Sequence, residues 1–408
     1  MEYVPRHAEK AVSELASMFG AVLVTGARQV GKSTLLEHLT APIPALTFDD
    51  AAVCAAAANT PELFFTYNSP PLFLDEIQKA PDLFSEMKQI IDTTKGKGLF
   101  YLSGSQQFHL MEQISESLAG RIGLLNLCGF SLREEYRCDL STPFVPTQDY
   151  FHERSNHASP LIDATDIWRR IQRGSMPELL TNPAYSWEKY YGAYVRTYIE
   201  RDVRKLAQVA DELRFQTFME VIAARTGQML NLTEVANVVG ISTPTATRWL
   251  SILVTSNIVY LLRPYFTNLT KRAVKTPKLY FTDTGLAAYL SKWNTPEVLR
   301  SGAMAGAFFE NFAVMEIAKS YYNSGVLEPP LSYYRDKEKN EIDLIIEQNG
   351  TLHPLEIKTT GAPSKGDVSS FRLLEKPGMN RGEGAVVCLS DRLLPLTERD
   401  TIVPLTCV

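Results

Sequence analysis

The sequence has no long apolar run, no paired cysteine motif and no excess of positive charge. No stretch approaches the ~18 consecutive apolar residues of a membrane-spanning helix, and the charged start MEYVPRHAEK has no signal-peptide core. The five cysteines have no C-x-x-C spacing, which disfavours a disulfide framework or a cysteine zinc site. We therefore expect a cytoplasmic protein with reduced thiols and no membrane contact.

The bulk composition is that of an ordinary globular protein. Hydrophobic residues make up 45% and charged residues 21% of the 408 positions, so disorder and fibrous repeats are not indicated. The length predicts two to four compact domains. The net charge of −5 argues against a uniformly basic nucleic-acid binder, although it leaves room for a local basic patch.

A glycine-containing loop joins an apolar stretch, AVLVT, to a helical pattern, STLLEHL. It matches G-x-x-x-x-G-K-[ST], a pattern in which backbone N–H groups at the start of a helix surround phosphate oxygens. Lys32 would reach the β and γ phosphates, and the Ser33 hydroxyl would bind Mg²⁺. The predicted nucleotide-binding residues are Gly26, Ala27, Arg28, Gln29, Val30, Gly31, Lys32, Ser33 and Thr34.

Two further apolar stretches end in polar residues. In PLFLDEIQKAP, Asp75 would hold the Mg²⁺ shell and Glu76 would polarise the attacking water. In GLFYLSGSQQF, either Ser103 or Ser105 could contact the γ-phosphate or the water, and Ser105 is our catalytic candidate. Because an open parallel sheet brings such strand ends to one crevice, these residues predict a nucleotide-hydrolysing site.

These motifs together resemble a family of bacterial and archaeal AAA-type ATPases that carry a further C-terminal region. The resemblance rests on the stretches YVPR, GARQVGKSTLL, LDEIQK, LSGSQQF, SLAGR and YIERDV. It implies ATP as the nucleotide, Mg²⁺ as the metal, and Arg6 close to the nucleotide base. It also implies that Arg121 approaches the γ-phosphate of its own or a neighbouring subunit, while a simple pairing of Arg121 with a carboxylate remains open. A homo-oligomer or a protein partner is compatible with this resemblance.

The middle of the chain contains a helix-turn-helix pattern. Residues 136–160 are rich in Pro and Ser and predict a linker, and the helical patterns after it fit a small lid. Further on, NLTEVANVVGISTPTATRWLSILVT predicts two helices around Gly240, the second capped by Thr243. Its helical spacing predicts that one face is buried, through Ala246, Trp249, Leu250 and Leu253.

The strands that follow, NIVYLLRPY and KLYF, predict the wing of a winged helix. From Asn231 to Tyr280 there are six basic residues and one acidic residue, which suggests contact with DNA phosphates. The candidate DNA contacts are Thr245, Thr247, Arg248, Lys271 and Arg272. A winged helix that packs against protein is the alternative.

The C-terminal stretch EIDLIIEQNGTLHPLEIK predicts a hairpin with Asn349-Gly350 as its turn. In that register Asp343 faces Glu356, and the repulsion between these carboxylates could be offset by a divalent cation. Lys358 shares the face of Glu356. Alternatively, Glu341 faces Lys358 and forms an ordinary ion pair.

An acid followed by E-x-K on the next strand resembles the PD-(D/E)xK nuclease superfamily, although Glu341-Ile342 stands where a proline is common. The resemblance implies that Glu310, Asp343 and Glu356 hold a second Mg²⁺ or Mn²⁺, and that Lys358 orients the attacking water. A nuclease-like domain without activity, which only docks partners, remains open.

The predicted fold class is α/β: a P-loop NTPase core with a parallel sheet, a helical lid, a winged helix and a C-terminal restriction-endonuclease-like domain. The predicted boundaries are 1–150, 151–210, 211–298 and 299–408. We expect an ATPase in which ATP hydrolysis is coupled to movement of the winged-helix and nuclease-like domains, and we expect these domains to act on DNA. The alternative is a regulatory ATPase whose C-terminal domains bind protein and cleave no nucleic acid.

Overall fold

The computed structural model describes residues 3–104, 117–157, 162–198, 212–266, 276–376 and 378–408. Contacts between residues divide the chain into two compact units. The first unit comprises Met1–Phe130, Thr255–Asn257 and Tyr321–Glu328, and the second comprises Ser131–Val254, Ile258–Ser320 and Pro329–Val408. The division therefore differs from the four predicted domains, because the first break falls at Phe130. Of the predicted site residues, Ser105, Lys271 and Arg272 lie outside the described residues.

A five-stranded parallel sheet forms the centre of the first unit, and its order is β2-β3-β4-β1-β5. The strands are β1 (Ala21–Thr25), β2 (Ala45–Thr47), β3 (Leu72–Asp75), β4 (Phe100–Ser103) and β5 (Ile122–Asn126). All five residues of β1 are buried, as expected for a central strand of a parallel sheet. The structure thus confirms the predicted α/β class and the predicted strand–loop–helix context of the glycine loop.

Five helices accompany this sheet in the described part of the first unit. They are α1 (Ala8–Met18), α2 (Lys32–Thr40), α3 (Ala51–Asn59), α4 (Pro61–Tyr67) and α5 (Leu83–Thr94). The apolar residues of α5 recur at helical spacing and are buried in one core with the strands: Leu83, Phe84, Met87 and Ile91. A short 3-10 helix, Ile77–Lys79, follows β3 and places the buried Ile77 in the same core.

The second unit begins with helices, and these include part of the predicted linker. They are α6 (Leu132–Glu135), α7 (Gln148–Ser155), α8 (Ala164–Arg173), α9 (Pro177–Thr181), α10 (Trp187–Tyr198) and α11 (Glu212–Ala223). The linker prediction was wrong over α7, where Tyr150 and Phe151 are buried and Arg133 donates a hydrogen bond of 2.5 Å to the Tyr150 hydroxyl. Aromatic residues anchor this segment, and a count of its few aliphatic residues could not detect them.

Two helices and a three-stranded sheet of order β6-β8-β7 come next. The elements are β6 (Gln228–Met229), α12 (Leu232–Val239), α13 (Thr243–Thr255), β7 (Val259–Leu262) and β8 (Lys278–Phe281). The predicted buried face of α13 is confirmed, since Ala246, Trp249, Leu250 and Leu253 are all buried. The N-terminal cap of α13 is Ser242 and not the predicted Thr243, because the Ser242 hydroxyl accepts a 3.2 Å hydrogen bond from the backbone N–H of Thr245.

A six-stranded mixed sheet of order β13-β14-β12-β11-β10-β9 completes the second unit. The helices before it are α14 (Thr284–Leu290), α15 (Pro296–Ser301) and α16 (Ala305–Asn323). The strands are β9 (Leu331–Arg335), β10 (Glu341–Gln348), β11 (Thr351–Ile357), β12 (Gly384–Cys388), β13 (Leu394–Pro395) and β14 (Asp400–Pro404). The 3-10 helices are Lys365–Glu375 and Leu405–Cys407.

The predicted hairpin is confirmed. Asn349 and Gly350 both have positive φ angles, of 51° and 75°, as a two-residue hairpin turn requires. Gln348 pairs with Thr351, and the ladder continues to the pair Leu344 and Leu355. β11 also pairs in parallel with β12, which lies on its other side in the sheet.

Two sequence-based expectations concern the whole chain. All five cysteines lie among the described residues and remain thiols. Across the described ranges, no helix combines the length and the apolar character that crossing a membrane requires.

Candidate functional site

The loop between β1 and α2 has a backbone that only glycine can supply at one position. Gly26 has a φ of +145°, and a Cβ atom there would lie 2.1 Å from the carbonyl oxygen of Leu127. Gln29 and Gly31 also have positive φ angles, of 62° and 92°, and α2 begins at the next residue, Lys32. The loop therefore curves back towards the N-terminus of a helix, which is a suitable place for an anion.

The side chain of Lys32 lies within this loop. Its Nζ donates hydrogen bonds to the carbonyl oxygens of Ala27, at 2.8 Å, and Gly26, at 3.2 Å, and the residue is 7% exposed. The loop backbone thus holds the ammonium group inside the curve of the loop. Of the other predicted nucleotide-binding residues, Thr34 in α2 is exposed and Arg28 in the loop is half-buried.

The Arg6 side chain is buried and binds backbone carbonyl groups of the phosphate loop and of the residues after β5. Its guanidinium donates to the carbonyl oxygens of Val30, at 3.0 Å, and Cys128, at 2.8 Å, and lies 4.8 Å from the centre of the Phe130 ring. Only 5% of the residue is exposed. The expected position against the nucleotide base is therefore corrected: Arg6 ties the N-terminal segment to the phosphate loop.

The acids at the end of β3 meet the loop. The Ser33 hydroxyl donates a 2.7 Å hydrogen bond to Asp75 Oδ1, and the Ser103 hydroxyl at the end of β4 donates to the same oxygen. A hydroxyl beside a carboxylate is a set of hard oxygen ligands that suits Mg²⁺. The structure therefore brings together the two residues predicted to hold magnesium, and it adds Ser103 to them.

Glu76 lies next to this group in an unusual conformation. Its φ is +55°, and its backbone N–H is 3.3 Å from the Ser103 hydroxyl oxygen. Its carboxylate accepts a hydrogen bond from the side-chain amide of Gln78. Gln78 is a residue that the motif analysis missed, although the stretch LDEIQK contains it.

Arg121 is far from the phosphate loop of its own chain. It precedes β5, and β5 runs parallel to β1 with Ala21 opposite Ile122 and Thr25 opposite Asn126. Since the phosphate loop follows Thr25, Arg121 lies at the other end of the sheet, roughly 15 Å away along the strands. Of the two sites left open for Arg121, the γ-phosphate of its own subunit is therefore out of reach.

The partner of Arg121 is a carboxylate at that far edge. Its Nε and Nη2 atoms are 2.6 and 2.9 Å from the two oxygens of Asp92 on α5. These hydrogen bonds lower the pKa of Asp92. The structure therefore favours the simple ion pair.

The second unit contains a cluster of acids around one buried lysine. Lys278, the first residue of β8, is 3% exposed, and its Nζ lies 2.9 Å from Glu310, 2.6 Å from Glu341 and 3.9 Å from Asp343. Burial alone would lower the pKa of Lys278, but the surrounding charges of Glu310, Asp343 and Glu341 raise it. Tyr280, on the same strand, donates a 2.6 Å hydrogen bond to Glu310.

Lys278 is one of the six basic residues counted between Asn231 and Tyr280, and in the structure its charge is directed to these acids. The stretch KLYF alternates, so Lys278 and Tyr280 share one face of β8. A lysine and a tyrosine on a shared face near the core require polar partners, and that requirement is the sequence signal that could have identified them.

A second lysine, Lys358, pairs with Glu356 and also lies near Asp343. Lys358 Nζ lies 2.7 Å from Glu356 and 3.7 Å from Asp343, and Ser370 donates to Glu356 at 2.9 Å. Burial, with a smaller contribution from the charge of Asp343, raises the pKa of Glu356 to about 8. Asp343 also accepts a 2.9 Å hydrogen bond from the backbone N–H of Ile357.

This geometry corrects two predictions about the C-terminal acids. Glu310 and Asp343 lie around the ammonium group of Lys278, and Asp343 and Glu356 lie around that of Lys358. Among the described residues no three His, Cys, Asp or Glu side chains could hold a metal ion together. The ammonium groups of Lys278 and Lys358 offset the carboxylate charges instead. The alternative pairing was also wrong, because Glu341 binds Lys278 and Arg335 and not Lys358.

The predicted DNA-contacting residues of α13 differ in exposure. Thr247 and Arg248 are exposed, and Thr245 is half-buried. They alternate with the buried Ala246 and Trp249, so the exposed residues form the outer face of the helix.

Three regions of the chain match known domain families. Residues 19–136 match the AAA domain family AAA_14. Residues 164–297 and 305–408 match two domains of unknown function, DUF8612 and DUF4143. With the loop geometry above, the first match supports an AAA-type P-loop ATPase.

Relatives extend over most of the chain. The uncharacterized proteins Rv2008c of Mycobacterium tuberculosis and Mb2031c of Mycobacterium bovis are each 28% identical over 389 residues, which cover 94% of this chain and 79% of theirs. Among solved structures, the Walker-type ATPase PABY2304 of Pyrococcus abyssi aligns at 16% identity over 69% of this chain and 94% of its own, with a TM-score of 0.42.

Proposed function

We propose that the first unit binds Mg–ATP and hydrolyses it. The loop amides and Lys32 bind the phosphates, while Ser33 and Asp75 hold Mg²⁺, which neutralises phosphate charge. Glu76 accepts the proton of the attacking water. The observation that carries this proposal is the 2.7 Å hydrogen bond from Ser33 to Asp75 beside the loop that contains Lys32.

The test measures ATP binding and turnover separately. Lys32→Ala should abolish binding, whereas Glu76→Gln should bind ATP and lose about 100-fold or more in turnover, because a general base contributes 10²–10⁴-fold. Lys88→Ala is the matched control, since Lys88 is an exposed lysine on α5. Normal ATP binding by Lys32→Ala, or normal turnover by Glu76→Gln, would refute the assignment.

We infer that hydrolysis changes the state of the second unit. The segments Thr255–Asn257 and Tyr321–Glu328 belong to the first unit, although the chain before and after each of them belongs to the second. A change in the first unit would thus reach the second through several chain connections. Hydrogen exchange in these two segments should differ between ADP and a non-hydrolysable ATP analogue, and identical exchange would contradict the coupling.

DNA is the partner that we propose for the exposed face of α13, because Thr247 and Arg248 point away from the buried side of a helix-turn-helix. Reversing Arg248, Lys271 and Arg272 to Glu should weaken duplex DNA binding and flatten its salt dependence. Unchanged binding would instead favour a protein partner for this face.

The C-terminal acids have a different role in this proposal. We propose that they stabilise the second unit and do not cleave nucleic acid, since the buried Lys278 and the half-buried Lys358 compensate their charge. Incubation with Mn²⁺ and single- or double-stranded DNA or RNA, with and without ATP, should yield no fragments. Fragments that disappear in Asp343→Ala would overturn this assignment.

A further inference from the structure

We propose that Gln78 is a positioning residue that orients the Glu76 carboxylate towards the attacking water. This inference rests on the proposed ATPase function and adds a residue to it. It concerns turnover alone, because the residues that would bind the triphosphate are Lys32 and Ser33.

The backbone after β3 brings residue 78 back beside residue 76. Glu76 has the left-handed φ of +55°, which is uncommon for a residue other than glycine. The 3-10 turn that follows is closed by hydrogen bonds from Lys79 N to Glu76 O, at 3.1 Å, and from Ala80 N to Ile77 O, at 2.9 Å. Ile77 is fully buried and anchors the turn in the core. The turn is thus a fixed support for the Gln78 side chain.

The amide of Gln78 is oriented towards the carboxylate. Its Nε2 donates to Glu76 Oε2, whereas its own Oε1 is buried without a hydrogen-bond partner among the described residues. Buried polar atoms rarely stay unpaired. Turning the amide over would place Oε1 against the carboxylate of Glu76, where two acceptors repel. The hydrogen bond to Glu76 therefore determines the orientation of the amide, since the carboxylate oxygen accepts and only the Nε2 end of the amide can donate.

One consequence follows for a general base, because the hydrogen bond from Gln78 fixes where the Glu76 carboxylate points. Because Oε2 is held by Gln78, the orientation of the carboxylate is set and Oε1 is left for the water. Loss of the amide should therefore lower kcat and leave ATP affinity unchanged.

The test compares Gln78→Met, which keeps the side-chain length and removes the donor, with Gln89→Met. Gln89 is an exposed residue of α5, and its variant is the matched control. Gln78→Met should reduce kcat about 10-fold to 100-fold, the scale of a misplaced catalytic group. Its Kd for ATP should stay within about twofold of wild type, because Lys32 and Ser33 are unchanged.

A double variant separates an action through Glu76 from a general effect on the fold. In the Glu76→Gln background, Gln78→Met should cause no further loss of turnover, because the group that it positions is already gone. An independent loss in that background, an equal loss of ATP affinity, or wild-type kcat in Gln78→Met would each overturn the proposal. If the wild-type protein binds ATP but does not turn it over, the ATPase function itself fails and this inference fails with it.

Discussion

The acids that end β3 and the acids around Lys278 differ in the charge of their partners. Within the described ranges, the side chains that hydrogen-bond Asp75 and Glu76 are neutral: Ser33, Ser103 and Gln78. Glu310, Glu341 and Asp343 instead surround a buried ammonium group. No basic side chain pairs with the first centre in the part of the chain that the structure describes, whereas a buried ammonium group already offsets the charge of the second.

The spacing of acidic residues alone does not define a metal site. The first centre has its carboxylates at the end of β3 and the second has them on α16 and β10, and both suggested a cation from sequence. What distinguishes them is a lysine from another strand, because a buried cation removes the repulsion that a metal would otherwise offset.

The largest expected effect comes from removing that lysine. Lys278→Met should lower the free energy of unfolding of the second unit by about 3–5 kcal/mol, because it leaves buried carboxylates without a counter-charge. Chemical denaturation measures this change. Lys292→Met is the control, since Lys292 is largely exposed and lies 3.9 Å from Glu220, and it should change little.

A compensating variant sharpens this test. Adding Glu310→Gln to Lys278→Met removes one uncompensated charge, so the double variant should be more stable than Lys278→Met. A Lys278→Met protein as stable as wild type would remove the distinction between the two acidic centres.

A gradual change of stability with pH is also expected. The pKa of Glu356 is raised in the folded protein, so its neutral form is favoured there, and stability is present at low pH and declines as pH rises from about 4.5 towards 8. The difference in unfolding free energy between wild type and Glu356→Gln should change by up to about 1.4 kcal/mol per pH unit in this range. A pH-independent difference would show that Glu356 is not a buried acid with a raised pKa.

The smallest effect is expected at Arg121, whose charge is directed to Asp92 and not to the first acidic centre. ATP turnover of Arg121→Ala should stay within about twofold of wild type, whereas loss of an arginine finger costs about 10³-fold or more. A loss on that larger scale would mean that Arg121 acts on a neighbouring subunit.

Local patterns predicted the parts of the fold that depend on neighbouring residues in sequence. The phosphate loop, the acid tip of β3, the buried face of α13 and the register from Gln348 to Leu344 all follow from spacing and turn chemistry. These features need no knowledge of which strands become neighbours.

The errors occurred where distant elements meet. The motif SLAGR contains Arg121 but does not show that β5 begins at the next residue. Because β5 runs parallel to β1, Arg121 lies at the end of the sheet opposite the phosphate loop. Lys278 reaches Glu310 and Glu341 only because β8, α16 and β10 come together in the second unit. No spacing rule within one segment contains that contact.

The measurement that tests the account most directly is the number of Mn²⁺ ions bound per chain, determined by electron paramagnetic resonance with a non-hydrolysable ATP analogue. The account predicts one ion that requires the nucleotide, is lost in Asp75→Ala, and is retained in Asp343→Ala. A second ion that binds without nucleotide and disappears in Asp343→Ala would contradict it.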